Sequence, residues 1–232
     1  MSIFSYHLVK LPFFMFIKSM CLNSVKRKTD GLIHSEFMTV MTLGSPIFSP
    51  SRILFGQMSV FMQWENENSL DNYLEQDSFG KILAKGWHVR LLFIRDWGKF
   101  SGFKIPDHPV NVVASNSPVV AVTLAKMKPF SIPRFIHWGR PVEKLVRDHP
   151  GKTLALASIK FPNTVSTFSI WKSDKEMSNM VHGHSLVDNP TRHADAVKER
   201  ERKDFHFEFI TLRFQPTAEF GSWHGKSNYI FI

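Results

Sequence analysis

The sequence predicts an α+β fold in which two βαββαβ repeats close their sheets together, a single-chain counterpart of a dimeric α/β barrel. Three observations predict it. Phe61-Met62-Gln63-Trp64, followed by polar residues and Leu70, is echoed by Phe168-Ser169-Ile170-Trp171, followed by polar residues and Met177. His88-Val89-Arg90-Leu91-Leu92-Phe93-Ile94-Arg95 is echoed by His206-Phe207-Glu208-Phe209-Ile210-Thr211-Leu212-Arg213. Each half also orders its apolar runs as strand, helix, strand, strand, helix, strand, which is the ferredoxin-like unit. The spacing between the two echoes is about 11 residues longer in the second copy, an insertion that holds His182, His184 and His193.

In the first half, residues 3–9 read as a strand, and Phe13 to Val25 as a helix following Pro12. Two strand-like runs, 32–43 and 53–64, flank the turn chemistry of Gly44-Ser45-Pro46 and Ser49-Pro50-Ser51. Asn66 or Asn68 caps a helix reaching about Ala84, and residues 87–97 close the unit. The second half repeats the order. Residues 119–126 are rich in β-branched side chains, and Ser131 opens a helix in which Ile132, Phe135, Ile136, Val142, Leu145 and Val146 recur at helical spacing. Pro133 suits the first turn of that helix, whereas Pro141 is expected to kink it. Strands 153–160 and 164–171 pair through Phe161-Pro162-Asn163. Ser173-Asp174-Lys175-Glu176 is a capping box, Asn189-Pro190 restarts a helix to about Lys203, and 205–214 is the last strand. The organisation expected is a first repeat at 1–102, a linker at 103–117 and a second repeat at 118–232.

Composition narrows the functional classes. With 43% hydrophobic residues and 22 Phe the chain has ample material for a core. Its formal charge of +9 admits nucleic acid, an anionic membrane surface or an acidic electron-transfer partner. The basic residues are dispersed and no helix-turn-helix, zinc-finger or RNA-binding signature is present, so nucleic acid is not the expected partner. The lone Cys21 excludes an intramolecular disulfide framework, points to a reducing cytoplasm, and reads as filler in the first helix. The apolar stretch from Phe13 to Leu22 is too short to span a bilayer and is interrupted by Lys18. It is expected as an amphipathic core helix, with peripheral contact at the inner membrane face as the lesser reading. No phosphate-binding glycine loop, dinucleotide fingerprint, CxxC pair, HExxH or G-x-S-x-G elbow occurs.

The second half carries a more specific pattern. Ala121-Val122-Thr123-Leu124-Ala125, Arg134-Phe135, Trp138, Phe168-Ser169-Ile170-Trp171-Lys172-Ser173, Met177, the His182-Gly183-His184 segment, His193, Phe207-Glu208-Phe209, Arg213-Phe214 and Gly221-Ser222-Trp223-His224-Gly225 resemble the spheroidene monooxygenase family of carotenoid biosynthesis. The first half matches more loosely, as a repeat of the same unit. The resemblance implies a haem-associated oxygenase that introduces a keto oxygen into an acyclic carotenoid or similar apolar polyene, with electrons from a ferredoxin-like donor.

Within that frame the insertion supplies the candidate ligands. Neutral imidazole binds haem iron and first-row metals. The order of preference for the iron is His193, then His184, then His182, because a helix fixes a ligand more rigidly than a glycine-flanked loop. Arg192, Arg134 and Arg213 are candidates to pair with haem propionates through their planar forks. Arg213 and Arg95 stand at equivalent places in the echo, which favours a structural role for both. Glu208 is the candidate catalytic carboxylate: facing inward its pKa would rise and it would move protons, although alternation with Phe207 and Phe209 points it outward. Trp138, Phe168, Trp171, Phe207, Phe209 and Phe214 are the aromatic residues expected to line or plug this half, and the Gly221–Gly225 tail is a candidate lid. The competing reading is a non-catalytic α/β barrel that binds a small apolar ligand or a protein partner. A third is a basic surface that binds nucleic acid or anionic lipid.

Overall fold

The first unit runs β1 (Ile3–Lys10), α1 (Phe13–Leu22), β2 (Leu32–Met41), β3 (Ile53–Trp64), α2 (Glu67–Gln76), α3 (Gly80–Lys85) and β4 (Trp87–Lys99). The second runs β5 (Val119–Met127), a 3-10 turn at Pro129–Ser131, α4 (Ile132–Asp148), β6 (Lys152–Lys160), β7 (Thr164–Trp171), α5 (Asp174–His182), α6 (Arg192–Arg202) and β8 (His206–Phe220). These elements come from a computed structural model, which describes residues 2–22, 29–46, 49–107 and 114–230. The side chain of Cys21 and most of the linker's centre lie outside the described residues.

Strands pair in the orders β4-β1-β3-β2 and β8-β5-β7-β6, and the two antiparallel sheets join edge to edge as one closed barrel. The β4–β8 seam is long, from His88 opposite Phe220 to Lys99 opposite Phe209. The β2–β6 seam is short, Thr39–Met41 against Ala157–Ile159. The Arg52–Glu143 ion pair (3.0 Å) and the Ser59–Ser158 hydroxyl contact (2.7 Å) reinforce that side. Closure removes every open sheet edge, which is how an all-antiparallel barrel avoids unpaired backbone groups.

Local chemistry explains most boundaries. The Asn66 side chain accepts the Ser69 amide hydrogen at 2.9 Å, and Ser173 Oγ accepts that of Glu176 at 3.2 Å, so both helices that follow a third strand begin with a side-chain cap. The single helix expected from Asn66 to Ala84 is divided. The Asp77 carboxylate accepts from the amides of Phe79 and Gly80, ending α2 and starting α3. Pro141 lies inside a continuous α4.

Alternation sends Phe4, Tyr6, Leu8, Trp87, Val89, Leu91, Val120, Val122, Leu124, Phe168, Leu212 and Phe214 into the barrel, all buried. Tyr6 stacks on Phe168 at 3.8 Å, and burial pushes its phenol up to about 12. Both ends are stoppered. At one, Phe103 of the linker packs on Phe4, Phe61 and His34 while Lys104 and Gln63 exchange hydrogen bonds. At the other, buried Trp223 and Ile230 join this core, and Tyr229 meets Trp87 edge-on at 5.8 Å. The Gly221–Gly225 tail therefore packs through Trp223 on the interior core, and among the described residues buried aromatic and aliphatic side chains occupy the space between the sheets. Aromatic residues from both repeats meet in this interior, Tyr6 on Phe168 and Phe4 on Phe214.

Candidate functional site

The two units differ most on the outside of the barrel, where helices cover each sheet. The strand registers establish which residues correspond. Ile3 pairs with Trp64 as Val119 pairs with Trp171, so β1 and β5 superpose position for position. His7 then corresponds to Thr123, and its cross-strand partner His88 to Thr211. Val60 and Thr167 stand in the same place before each tryptophan.

In the first unit this helix-facing floor is sealed. His7 and His88 stack with ring centroids 5.0 Å apart, and Val60, His7 and His88 are buried. Ile3, Val9, Met58, Met62, Trp64, Leu70, Leu74 and Leu83 complete an apolar layer between sheet and helices. In the second unit the floor is short-chained and reached by solvent. Ala121 and Thr123 are half-buried, Thr167 is exposed, and the Thr123 and Thr211 hydroxyls meet at 3.1 Å. The roof is correspondingly loose: α4 buries only Leu145, and α6 buries none of its residues. Leu145, Trp171, Met177 and Met180 pack at one end of this layer, and Phe205, Phe135, Trp138 and Phe209 at the other. Between them lies a strip of floor around Thr123, Thr167 and Thr211 that the helices leave half-exposed or exposed, the slot.

Two side chains of α6 reach over it. Arg200 sets its guanidinium 4.3 Å above the Phe209 ring on the helix-facing side of β8. His193, two turns earlier, shares that helix face. Its Nδ1–H donates to the Val181 carbonyl at 3.2 Å, which fixes the tautomer and leaves Nε2 with its lone pair. Enclosure pushes this imidazole below its ordinary pKa, so it is neutral at pH 7 and competent as a ligand. Arg140, midway along α4, has a buried Nε with no hydrogen-bond partner.

The remaining sequence candidates are placed as follows. His182 ends α5, where its Nδ1–H donates to the Ser178 carbonyl at 2.8 Å. His184 follows the left-handed Gly183 and its ring stacks on that of His182 at 6.1 Å. Both residues are exposed or half-exposed at the outer end of the insertion. Arg192 stands half-buried at the first residue of α6. Arg134 is engaged otherwise: it pairs with Glu199 at 2.9 Å, bonds the Lys203 carbonyl and covers Phe205, tying α4 to α6. Arg213 is buried and pairs with Asp174 at 2.8 Å. The register also corrects its equivalence. Arg213 lies opposite Ala121 as Arg90 lies opposite Ser5, so its counterpart is Arg90, which pairs with Glu67 and Asp71 on α2. Arg95 is instead its direct cross-strand neighbour.

Glu208 is placed differently from either expectation. It shares the barrel-facing side of β8 with Ile210, Leu212 and Phe214, at the stoppered mouth, while Phe209 faces α4 and α6. Ser101 donates to its carboxylate through both N and Oγ at 2.7 Å, and those bonds hold its pKa below the usual carboxylate range. A raised-pKa proton shuttle is thus not what the geometry provides, and the sheet stands between Glu208 and the slot. Of the aromatic candidates, Phe168 and Phe214 are interior core, Trp171 is core of the helix layer and Phe207 is exposed. Trp138 and Phe209 lie at one end of the slot and Trp171 at the other.

Among the described residues no three or more His, Cys, Asp or Glu side chains gather as a metal site. A haem brings four nitrogens of its own and requires one protein ligand, so a neutral imidazole held through Nδ1 with its Nε2 left for a metal is chemically suited to that group. Sequence reasoning missed Thr123, Thr167, Thr211, Arg200 and Arg140. Their signal was present in the Ala121-x-Thr123-x-Ala125 alternation, where the first repeat has Ser5-x-His7-x-Val9.

Comparison with known proteins agrees with this architecture. The chain is 26% identical over 178 residues to the spheroidene monooxygenase of Cereibacter sphaeroides, covering 72% of this chain. The likeness therefore extends beyond the second half. It covers 52% of that protein, so the chain spans about half the length of the curated relative it matches. No family model matches. Among solved structures, an aldoxime dehydratase aligns over 94% of this chain and 82% of its own at a TM-score of 0.51 and 10% identity. A ferredoxin-fold protein of Listeria monocytogenes related to antibiotic biosynthesis monooxygenases covers 94% of this chain and 97% of its own, at a TM-score of 0.32 and 11% identity. The likeness to the aldoxime dehydratase is one of fold alone.

Proposed function

We propose that the chain is a spheroidene monooxygenase-like oxygenase that holds a haem in the slot of the second unit, with His193 as its protein ligand. The substrate is an acyclic carotenoid or similar apolar polyene, which receives a keto oxygen, and a ferredoxin-like protein supplies the electrons. The observation that carries this reading is the contrast between repeats: a sealed layer with a stacked histidine pair in one, a half-exposed threonine floor and an oriented imidazole on the covering helix in the other.

The haem, when bound, supplies oxygen-activating chemistry, and the chain supplies binding and orientation. His193 presents Nε2 because the Val181 carbonyl holds Nδ1–H. Arg192, Arg140 and Arg200 are candidates for the two carboxylates of the group, since Arg134 and Arg213 are committed to Glu199 and Asp174. Trp138 and Phe209 give an apolar border that excludes water and suits a polyene. The Thr123 and Thr211 hydroxyls are the polar atoms of the floor and can pass a proton between their oxygens.

Absorption spectroscopy during haem titration tests the assignment. The full chain should develop a Soret band with one equivalent of haem, His193→Ala should abolish it, and His182→Ala or His184→Ala should retain it. A spectrum of free haem with the wild-type chain, or an undiminished band with His193→Ala, defeats the proposal.

A further inference from the structure

One end of the barrel bears an apolar surface left uncovered by the described residues. On α1, Phe13, Phe14 and Ile17 are 70%, 85% and 42% exposed, and Phe55 of β3 is 68% exposed. Helical spacing groups the three α1 residues on one face, turned roughly 100° from Phe16, which is fully buried and meets Phe55 edge-on at 6.4 Å. The Leu11 amide bonds the Gly56 carbonyl at 2.7 Å, fastening the start of α1 beside Phe55. A cluster of this kind on a monomer marks an interaction site, since isolated apolar residues are ordinary but adjoining bulky ones are not.

The surroundings decide the kind of partner. Lys18 is exposed on the same helix and Lys10 ends β1. Antiparallel alternation round the barrel brings the end of β1, the start of β6 and the end of β7 to one end. The C-terminal tail crosses there, with Lys10 Nζ 5.9 Å from the Trp223 ring and Lys226 bridged to Trp223. Lys226, Lys152 and Lys172 together line a cleft of about 500 Å³ beside Tyr229. Protruding phenylalanines are thus accompanied by five lysines, on a chain of formal charge +9. An anionic bilayer complements both features at once, taking the aromatic side chains below its headgroups and the ammonium groups at its phosphates.

We propose that this end of the barrel docks on an anionic phospholipid bilayer. Phe13, Phe14, Ile17 and Phe55 enter the boundary between headgroups and acyl chains, and Lys10, Lys18, Lys152, Lys172 and Lys226 meet the lipid phosphates. The docking rests on this surface alone and stands or falls separately from the haem assignment. It would hold the protein against the phase in which an apolar polyene dissolves.

Co-sedimentation of the full chain with phosphatidylcholine vesicles, with and without phosphatidylglycerol, tests it. The chain should partition onto the anionic vesicles at least about tenfold better, and high salt should remove the difference. Phe13→Ser with Phe14→Ser should lower partition at least about tenfold, and Lys152→Glu or Lys226→Glu about fivefold each. Phe130→Ser, at a fully exposed position in the turn before α4, should change nothing. Phe13, Phe14, Phe130 and Lys226 are exposed and Lys152 is half-exposed, and circular dichroism verifies that the variants remain folded. Equal binding to both vesicle types, no binding, or undiminished binding by the double phenylalanine variant overturns the proposal. So does a lipid-free dimer that the double variant abolishes, because the surface then serves a second copy of the chain.

Discussion

Replacing Asp174 by Ala should destabilise the fold far more than the corresponding replacement of Glu67, although both carboxylates occupy the first residue of equivalent helices. Arg213 and Arg90 are the same arginine in two repeats, each tying a helix start to the unit's last strand. Their surroundings differ. The Arg213 side chain is only 7% exposed and has one carboxylate partner, while Arg95 opposite it and desolvation both push its pKa down. Removing Asp174 leaves a buried, uncompensated charge, a change that costs about 3 kcal/mol, the low end of the usual range because water can reach the vacated place. Arg90 keeps Asp71 when Glu67 is removed, so that loss should be about 0.5–1 kcal/mol, the scale of an exposed pair with its share of the helix dipole. In thermal unfolding the Asp174→Ala variant should melt about 6–12 °C below wild type and Glu67→Ala within about 4 °C. Adding Arg213→Met to Asp174→Ala should recover most of the loss, since an apolar side chain carries no desolvation cost. Equal shifts for the two single variants, or no recovery in the double one, would refute the equivalence and the burial argument together.

Two further outcomes follow from the contrast between the floors. Thr123→Leu should fill the slot, weakening haem binding in titration at least about tenfold while leaving stability unchanged or raised by up to about 1 kcal/mol; unaltered haem affinity would place the group elsewhere. The sealed floor of the first unit should make stability depend on acidity. Burial, then Arg90, lowers His88 to about 4, and burial, then His88 and Arg90, lowers His7 well below the ordinary value. Both are neutral in the folded chain, so the unfolded chain binds more protons below about pH 6.5. Stability is full above that pH and falls as acid is added, by roughly 3 kcal/mol from His88 between pH 6.5 and 4. Urea unfolding of His88→Asn across this window should show a visibly flatter slope, and an unchanged slope would contradict the assignment.

The order of strands and helices was legible because it depends on local chemistry: period-two alternation, Asn66 and Ser173 as caps, proline and glycine at turns. The repeat was legible too, but its register was not. The echo sets His88 against His206, whereas pairing with β1 and β5 sets it against Thr211, five residues further on. An odd displacement exchanges the two faces of a strand, so the echo gives Arg213 the wrong counterpart. Glu208 is a separate case: it does alternate with Phe209, but alternation alone does not reveal that Phe209 turns toward α4 and α6. Bulges in the β4–β8 seam near Leu91 and Arg95 separate the arginines from their alternation and obscure the correct match. The slot was hidden for a different reason. Alternation says which side chains share a face, but not how closely a helix presses on it. That distance is set by α6 resting on α4 and α5 through pairs such as Arg134–Glu199, whose partners are 65 residues apart in sequence.

The two repeats divide the work that one sheet layer cannot do alone. A floor packed with Val60, Met62, Trp64 and stacked imidazoles contributes stability and leaves no room for a ligand. A floor of Ala121, Thr123 and Thr211 forfeits that burial, and the deficit is borne by the shared interior, where aromatic residues from both repeats interlock from Phe4 to Phe214. Placing the opening outside the barrel rather than within it follows from this division. The interior is the only layer common to both halves, so hollowing it would weaken both, whereas thinning the outer layer of the second unit weakens one. The insertion that carries His193 falls on that thinned layer because the segment between β7 and β8 is the place where added residues disturb no strand register.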